Sequence, residues 1–569
     1  MRSLRGLARS GPRLGARATL AALLAVPLLA GTVLVAPGAT AADDVHTEDA
    51  RVPSGTGADA VELDTTTYLP PGGGRAPAVV LAHGFGGSKD SVADDARDLA
   101  GRGYVVLTYS ARGFGRSTGQ IGLDDPRYEV ADLSTLIDRL AERDDVQLDG
   151  KGDPRVGVAG GSYGGALTLL GAAYDHRIDA IAPQITWNSL TAALFPSQAG
   201  DVDAQTVAAT PEDNATGVYK RLWSGLFFGA GAAPTGRLAD AIGNGAGGAT
   251  AGAGIDPSTV DPAAAQQALL CGRFRADICA AYQTAAATGT LTPAIAAVLD
   301  RNSPAGVLDR ITAPTLLIQG TQDSLFGLGQ ADANARGIAA NDTPVKVVWY
   351  AGGHDSAAPD PVTADLRDQV AGWFDFHLRG RGENPGTGFE FPAPTGLGTT
   401  AGVSRVQGGN QTVVAARYPG LDGAAPARRA SVPLSGRTQP VVTPAGGTPA
   451  ALTTIPGLGS LTSALGGTTL EIPGQFAAFQ SEPLDTAVEV VGAPTTAIEV
   501  AAPGGSATLF AKLYDVAPGG GTTLPAGLVA PLALTGLSTD PAQPTRVPIT
   551  LPAIVHRFEA GHTMRLVVS

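Results

Sequence analysis

The chain has 569 residues, of which 44% are hydrophobic and 16% are charged. At about 100 to 200 residues per domain, this length predicts about three folding units with sizeable apolar cores, and the composition excludes a charge-dominated disordered polymer. The formal net charge is −13, and the five lysines lie far apart along the chain. A nucleic-acid-binding protein is therefore excluded, because phosphate recognition requires a clustered basic surface.

Residues 1–41 have the features of a secretory signal peptide. Five arginines and no acidic residue precede an apolar stretch over 18–36, and Ala39-Thr40-Ala41 forms a small-x-small cleavage site. We predict cleavage after Ala41 and a secreted or extracellular mature protein, with an uncleaved membrane anchor as the alternative. Beyond residue 41, no uninterrupted apolar run is long enough to span a bilayer.

Cys271 and Cys279 are the two cysteines of the chain. On one straight helix, residues eight apart lie about 12 Å from each other, so a disulfide between them requires a turn in the chain. An oxidising export compartment favours a local disulfide over two buried free thiols, which remain the alternative. No metal site is expected here, because other ligands are lacking nearby.

Between residues 42 and 187, apolar strands alternate with helical stretches. This alternation is typical of a mostly parallel sheet covered by helices, and it indicates the first part of an α/β domain. The predicted strands are 78–82, 104–109, 156–159 and 178–183, and the predicted helices are 91–99 and 128–141.

The alternation is interrupted and then resumes. Residues 188–305 are rich in alanine and predict a mainly helical cap insertion, with a glycine-rich stretch over 243–254 that indicates a loop. Residues 306–385 then predict the second part of the α/β domain, with strands at 314–320 and 345–350 and a long amphipathic helix over 362–378.

Residues 386–569 predict a separate β-sandwich or jelly-roll domain, because short β runs alternate there with Pro and Gly. These runs are 411–418, 495–501, 507–514, 545–551 and 563–568. The chain ends at Ser569 directly after an apolar strand without a capping turn, so truncation remains an alternative.

Gly160-Gly161-Ser162-Tyr163-Gly164 places Gly-x-Ser-x-Gly between a predicted strand and a predicted helix. A nucleophile elbow needs this context: the serine occupies a strained turn, and small residues two positions before and after it prevent collisions with the neighbouring strand and helix. We therefore predict Ser162 as a nucleophile. An ordinary glycine-rich turn is the alternative.

A serine nucleophile needs a base and an orienting acid, which in an α/β-hydrolase follow in the order Ser, Asp or Glu, His. Asp323 comes just after the strand 314–320, and His354 comes just after the strand 345–350. We predict Asp323 as the acid and His354 as the base. Asp355 is interpreted as a solvated loop acid, because a residue adjacent to His354 cannot easily reach the far ring nitrogen.

The reaction also needs donors for the negative oxygen that develops on the substrate. The turn His83-Gly84-Phe85-Gly86-Gly87 follows an early strand. We predict that the N–H groups of Phe85 and Tyr163 form this oxyanion hole, with simple loop closure as the alternative for the turn.

These segments resemble the S15 peptidase and cocaine-esterase-type hydrolase family, which includes Xaa-Pro dipeptidyl-peptidases. The resemblance covers most of the mature sequence. It rests on the serine turn 160–165, the Arg-Gly-rich turn 109–119, the acid loop 319–323 and the C-terminal segments 481–484, 509–516 and 558–562. It implies an α/β-hydrolase fold with a helical cap, followed by an all-β jelly-roll of the Xaa-Pro dipeptidyl-peptidase C-terminal type.

One residue departs from the family pattern. Family members with known peptidase or cocaine-esterase activity usually carry a tyrosine in the oxyanion turn, where this chain has Phe85. The missing hydroxyl argues against simply transferring the narrow Xaa-Pro specificity.

A dipeptidyl-peptidase also needs an acidic residue to hold the free amino terminus. Glu212 and Asp213 are candidates, with exposed helix-start acids as the alternative interpretation.

The leading hypothesis is a secreted serine hydrolase that acts on a small ester or peptide substrate without cofactor or metal. Xaa-Pro dipeptide release and carboxylester hydrolysis both remain open. A hypothesis of another class is a noncatalytic protein whose jelly-roll binds carbohydrate or a cell-surface partner. The oligomeric state is not determined by the sequence.

Overall fold

The computed structural model describes residues 45–202, 206–208, 217–232, 270–393, 403–407, 410–421, 423–443 and 471–569. The predicted signal peptide, the glycine-rich stretch 243–254 and the candidate acids Glu212 and Asp213 lie outside these residues. In the described part, no helix combines the length and apolar character needed to cross a bilayer.

An eleven-stranded mixed sheet forms the centre of the α/β domain. Its strands, in spatial order, are β1 (His46–Ser54), β2 (Val61–Leu69), β4 (Val105–Tyr109), β3 (Ala78–Ala82), β7 (Val156–Gly161), β8 (Ile178–Gln184), β9 (Thr315–Gly320), β10 (Val345–Tyr350), β11 (Phe389–Pro392), β13 (Asn410–Ala415) and β12 (Val403–Gln407). From β4 to β11 the neighbours run parallel, whereas both edges are antiparallel. A short hairpin of β5 (Leu148–Gly150) and β6 (Asp153–Pro154) precedes β7.

Helices cover both faces of this sheet. They are α1 (Ala93–Gly101), α2 (Glu129–Ala141), α3 (Tyr163–Tyr174), α8 (Leu328–Ala339) and α9 (Asp360–Arg379). The apolar sides of α1 and α9 pack on one face, and those of α2, α3 and α8 pack on the other. β3 and β4 are buried along their whole length and are almost entirely apolar, which is typical of parallel strands covered on both faces.

The described part of the cap is helical. It contains α4 (Leu190–Leu194), α5 (Arg221–Ala232), α6 (Ala276–Thr288) and α7 (Pro293–Arg301). Cys271 and Cys279 are joined by a disulfide with their Cα atoms 5.4 Å apart. The chain turns between them at Gly272, whose φ of 55° suits a residue without a side chain.

Short 3₁₀ helices occur in the described part of the chain at Gly57–Asp59, Lys89–Val92, Pro304–Gly306, Leu308–Arg310 and Pro525–Gly527.

The C-terminal region is all-β and antiparallel. One sheet contains β14 (Ala477–Gln480), β22 (Thr563–Val568), β17 (Ser506–Val516), β18 (Thr522–Thr523) and β19 (Ala530–Thr535), and two further pairs are β15 (Val488–Gly492) with β21 (Ile554–Phe558) and β16 (Thr495–Val500) with β20 (Thr545–Thr550). Ile498 and Val547 of the pair β16–β20 belong to one buried apolar cluster with Leu532 and Leu566 of the larger sheet. The predicted fold class, an α/β-hydrolase domain followed by a β-sandwich, is thus confirmed.

Two parts of the architecture differ from the prediction. The β-sandwich was predicted to begin at residue 386, but β11, β12 and β13 pair with the eleven-stranded sheet through β10. Short apolar runs identify strands without identifying their partners, so the pattern did not reveal this. The antiparallel hairpin of β1 and β2 was also not predicted, since β1 is mostly exposed and has no apolar alternation.

The cap and the β-sandwich share backbone hydrogen bonds. The chain after α4 runs beside the sandwich, where the Gln198 N–H donates to Pro531 O at 2.8 Å and the Thr550 N–H donates to Gln198 O at 2.9 Å. Farther along, the Ala493 N–H donates to Val207 O at 2.8 Å. The sandwich therefore supports the segment of the cap that leads from α4 towards α5.

Candidate active site

Ser162 lies in a sharp turn between β7 and α3. Its φ of 57° and ψ of −115° are rarely adopted by a residue with a side chain, which is the strain expected of a nucleophile elbow. A Cβ atom on Gly164 would lie 2.3 Å from Ala82 O, and one on Gly160 would lie 2.6 Å from the Gly164 backbone. Glycine at both positions therefore lets the turn pack against β3.

The structure brings the three predicted side chains together in a row. The Nε2 atom of His354 lies 2.9 Å from Ser162 Oγ, and its Nδ1 atom lies 2.6 Å from Asp323 Oδ2. Ser162, Asp323 and His354 follow β7, β9 and β10, whose carboxyl ends meet at one edge of the sheet. The hydroxyl, imidazole and carboxylate thus form the continuous hydrogen-bonded arrangement of a Ser-His-Asp triad.

The carboxylate of Asp323 is held from several sides. Its Oδ1 accepts the N–H groups of Leu325 at 3.0 Å and Phe326 at 2.7 Å, and its Oδ2 accepts the His354 N–H at 3.3 Å. The residue is 1% exposed. These backbone donors set the direction in which Oδ2 faces the imidazole.

Close packing of two loops requires glycine beside His354. Gly353 has a φ of 146°, and a Cβ atom there would lie 2.3 Å from Gln322 O, in the loop that carries Asp323. The absence of a side chain therefore allows the acid loop and the histidine loop to touch.

Asp355 has a different partner from Asp323. It accepts hydrogen bonds from the N–H and the hydroxyl of Ser324, the latter at 2.9 Å. It is therefore tied to the acid loop, whereas the prediction described it as a solvated acid. Its hydrogen bonds run to Ser324, and the imidazole ring contacts Asp323 instead.

The predicted oxyanion turn lies next to the nucleophile. A Cβ atom on Gly84 would be 3.8 Å from Ser162 Cβ. Tyr163 is the first residue of α3, and the first N–H groups of a helix have no partner within the helix. The Phe85 N–H donates no hydrogen bond to any described residue. Both predicted donors are thus beside Ser162 with free bonding capacity.

The side chain of Tyr163 is anchored behind the site. Its hydroxyl donates to Glu129 Oε1 at 3.2 Å and accepts the Asp124 N–H at 3.3 Å. Burial raises the pKa of Glu129 to about 7, although hydrogen bonding from the Gly122 N–H opposes the shift. This network orients the residue whose N–H is predicted to bind the oxyanion.

His83 connects the oxyanion turn to the Arg-Gly-rich turn. Its Nε2 accepts the Ala111 N–H at 2.9 Å, so the proton of the neutral ring is on Nδ1, which donates to Gly84 O at 2.7 Å. Next to Ala111, the guanidinium of Arg112 makes two hydrogen bonds of 2.7 Å to Asp132. His83 therefore has a supporting role, and its ring is not available to Ser162 as a base.

We expect His83 to make the protein sensitive to acid. Burial lowers its pKa to about 4, whereas an unfolded histidine titrates near 6.5. Between these pH values, His83 is protonated in the unfolded chain and neutral in the folded chain. The free energy of unfolding therefore falls by about 3 kcal/mol as the pH falls through this window. Above pH 6.5 the effect is absent.

The measurement is the thermal unfolding midpoint at several pH values from about 7 to about 4. The fall in the midpoint should be smaller in His83→Gln, which keeps an acceptor for the Ala111 N–H without a titrating group. The same substitution at the exposed His176 controls for the loss of a histidine elsewhere. Parallel profiles for the wild type and His83→Gln would contradict this explanation.

The cap makes contacts with the acid loop that the sequence analysis did not predict. Lys220 donates from Nζ to Ser324 O at 2.5 Å and to Leu325 O at 3.0 Å, and Trp223 donates from Nε1 to Ser324 Oγ at 3.2 Å. Burial lowers the pKa of Lys220 to about 8, although the carboxylates of Asp323 and Asp355 oppose that shift. These hydrogen bonds connect the start of α5 to the acid loop.

An apolar cavity opens in front of Ser162, between the sheet and the cap. Trp187 and Phe227 line this cavity. Trp223 instead packs edge-on against the His354 ring, with 6.0 Å between the ring centroids. Phe326 contacts the same imidazole at 5.2 Å. The base is therefore enclosed by aromatic rings from the acid loop and the cap.

Two family models match the chain. The X-Pro dipeptidyl-peptidase (S15 family) model matches residues 59–354, and the X-Pro dipeptidyl-peptidase C-terminal non-catalytic domain model matches residues 433–569. The second match begins after β13, in agreement with the pairing of β11–β13 with the eleven-stranded sheet.

Solved structures show the same fold over nearly the whole chain. An alpha-amino acid ester hydrolase is 17% identical with a TM-score of 0.59, and the match covers 95% of this chain and 92% of that chain. A CocE/NonD family hydrolase from Staphylococcus aureus is 14% identical with a TM-score of 0.55, covering 92% and 86% respectively.

Among curated proteins, a bis(hydroxyethyl) terephthalate hydrolase from Streptomyces coelicolor is 31% identical over 215 residues, which cover 34% of this chain and 66% of that protein. The first curated relatives are matched over only 41% of their own length. The family match, by contrast, spans more than half of the chain. The chain therefore belongs to the S15 family of X-Pro dipeptidyl-peptidases.

Proposed function

We propose that this protein hydrolyses an ester or amide bond through an acyl-enzyme intermediate on Ser162. The hydroxyl oxygen attacks the substrate carbonyl carbon while its proton moves to Nε2 of His354. The same nitrogen then returns the proton to the departing alcohol or amine, so that the imidazole is neutral again. Water next repeats the attack, the acid product leaves, and Ser162 regains its proton.

Asp323 supports both proton transfers. Its carboxylate accepts the Nδ1–H of His354, which leaves Nε2 free to accept the serine proton and stabilises the imidazolium that forms. The N–H groups of Phe85 and Tyr163 would bind the negative oxygen of the tetrahedral intermediate. The aromatic rings around His354 lower the local polarity, which strengthens these interactions.

The observation that carries this proposal is the contact of His354 with both Ser162 and Asp323, at 2.9 and 2.6 Å. The competing hypothesis of a noncatalytic binding protein gives no reason for three distant residues to form this arrangement. Secretion with cleavage after Ala41 remains a prediction from the sequence.

Two substrate classes fit this mechanism. The family name favours release of dipeptides from Xaa-Pro chains, whereas the name of the Streptomyces coelicolor relative favours esters. Phe85 stands where family members with known peptidase or cocaine-esterase activity usually carry tyrosine. The oxyanion therefore depends on backbone donors here, which suffice in many serine hydrolases.

A fluorophosphonate probe tests the proposal directly. It should form one covalent adduct per chain, because it reacts with an activated serine and mimics the tetrahedral intermediate. Peptide mass spectrometry should locate the adduct on Ser162. A folded protein that remains unlabelled, or labelling at a different serine, would reject the proposed role of Ser162 and favour the noncatalytic hypothesis.

A further inference from the structure

The cavity in front of Ser162 is deep, and its lining is almost entirely hydrocarbon. The cavity volume is about 120 Å³, and the surrounding space opens to solvent. Phe85 and Tyr163 line the end near the nucleophile, and residues of α5, α6 and α7 line much of the remainder, among them Phe228, Tyr282 and Val298. The cap therefore provides most of the wall that a bound acyl group would meet.

A series of aromatic rings leads from the nucleophile into the cap. Phe85, beside Ser162, stacks on Phe274 with 5.9 Å between the ring centroids. Phe274 stacks on Phe228 at 5.1 Å, and Phe228 stacks on Tyr282 at 3.8 Å. This continuous apolar wall extends well beyond the space that an acetyl group would fill.

No described residue that lines the cavity carries a charge. Two acids near Tyr163, Asp124 and Glu129, are 0% and 1% exposed and lie around the hydroxyl of Tyr163, away from the cavity lining. An ammonium group placed against these walls would lose its hydration without gaining a partner, which is strongly unfavourable. The described walls of the cavity are thus suited to an uncharged group and unsuited to a free amino terminus.

We propose that this cavity binds the acyl group of the substrate, and that this group is uncharged, apolar and at least as long as an octanoyl chain. The inference rests on the proposed function, since it assumes that Ser162 accepts the acyl group. It makes the chain an esterase for hydrophobic acids, which departs from the dipeptide release that its family name describes.

Chain length gives the first test. Each buried methylene group should raise kcat/KM by up to about fourfold, because it removes apolar surface from water. The acyl chain of p-nitrophenyl octanoate is four methylene groups longer than that of p-nitrophenyl butyrate. Allowing for incomplete burial, we expect kcat/KM to rise by at least about 30-fold. Equal or falling values along the series would overturn the inference.

A second test compares a charged and an uncharged acyl group of equal length. p-Nitrophenyl 8-aminooctanoate differs from p-nitrophenyl nonanoate only in an ammonium group that replaces the terminal methyl group. We expect kcat/KM to be at least about 100-fold lower for the amino ester. Alanyl-prolyl p-nitroanilide, whose acyl group also carries an ammonium, should be a poor substrate. Similar values for the two esters, or efficient cleavage of the anilide, would overturn the inference.

A cavity-filling variant connects these preferences to the cap. Ala281, on α6, lines the cavity, and in Ala281→Phe the added ring should occupy space that a long acyl chain needs. The ratio of kcat/KM for octanoate to that for acetate should fall by about tenfold or more. A ratio equal to that of the wild type, in a variant with the wild-type unfolding midpoint, would place the acyl group elsewhere.

Failure of this inference can be distinguished from failure of the proposed function. If short esters are hydrolysed and Ser162 is labelled by the fluorophosphonate probe, but length and charge have no effect, only the acyl-group inference is overturned. If neither hydrolysis nor labelling occurs, the proposed function is overturned and the inference falls with it.

Discussion

Replacement of Ser162 by alanine should lower kcat for ester hydrolysis by about 10³-fold or more. The hydroxyl is the only group in the triad that forms a bond to the substrate, and its 2.9 Å contact with His354 Nε2 provides the route by which its proton leaves. Some turnover over the uncatalysed rate should remain, because the oxyanion donors and the acyl cavity are unchanged.

The test compares steady-state kcat and fluorophosphonate labelling in the wild type and Ser162→Ala. Alanine has the same backbone restrictions as serine at a φ of 57°, so the turn should keep its shape and the unfolding midpoint should change little. A variant that retains more than about a tenth of the wild-type kcat would show that Ser162 is not the nucleophile.

Replacement of Asp323 by asparagine should lower kcat/KM by about 10³- to 10⁴-fold. If the new amide nitrogen took the place of Oδ2, it would face His354 Nδ1 and favour the tautomer whose Nε2 carries the proton. If it took the place of Oδ1, it would face the N–H donors of Leu325 and Phe326. Either orientation impairs the base.

Asp355→Asn is the matched control for this substitution. Asp355 is the other acid in these loops, and its hydrogen bonds run to Ser324. Because an asparagine oxygen can still accept one of those hydrogen bonds, we expect a loss below about tenfold, equivalent to about 1.4 kcal/mol. If Asp355→Asn lost as much activity as Asp323→Asn, the assignment of the orienting acid would be wrong.

The positions of the three triad residues could be predicted because each prediction required only local information. Ser162, Asp323 and His354 each follow a strongly apolar strand, and the glycines around them mark tight turns. Parallel strands end at the same edge of a sheet, so residues that follow β7, β9 and β10 are close together whatever the length of the intervening chain. The large cap insertion therefore did not obscure the site.

The contacts made by the cap could not be predicted in the same way. Lys220 and Trp223 lie in an alanine-rich helical region without a motif, and their partner Ser324 is about a hundred residues away. Their role depends on the direction in which α5 crosses the sheet edge, and helical periodicity does not specify that direction. The contacts between the aromatic rings from Phe85 to Tyr282 could not be predicted for the same reason, because they depend on how the cap packs against the sheet edge.

Local patterns in the chain were sufficient to assign the fold class, the β-sandwich and the order of the triad residues, because strand periodicity, turn glycines and chain order are properties of neighbouring residues. Strand pairing at the sheet edge, the support of the acid loop by Lys220 and the apolar cavity were decided by the tertiary structure. These features arise where segments distant in sequence pack together, and the free energy of such packing depends on the shapes of both partners.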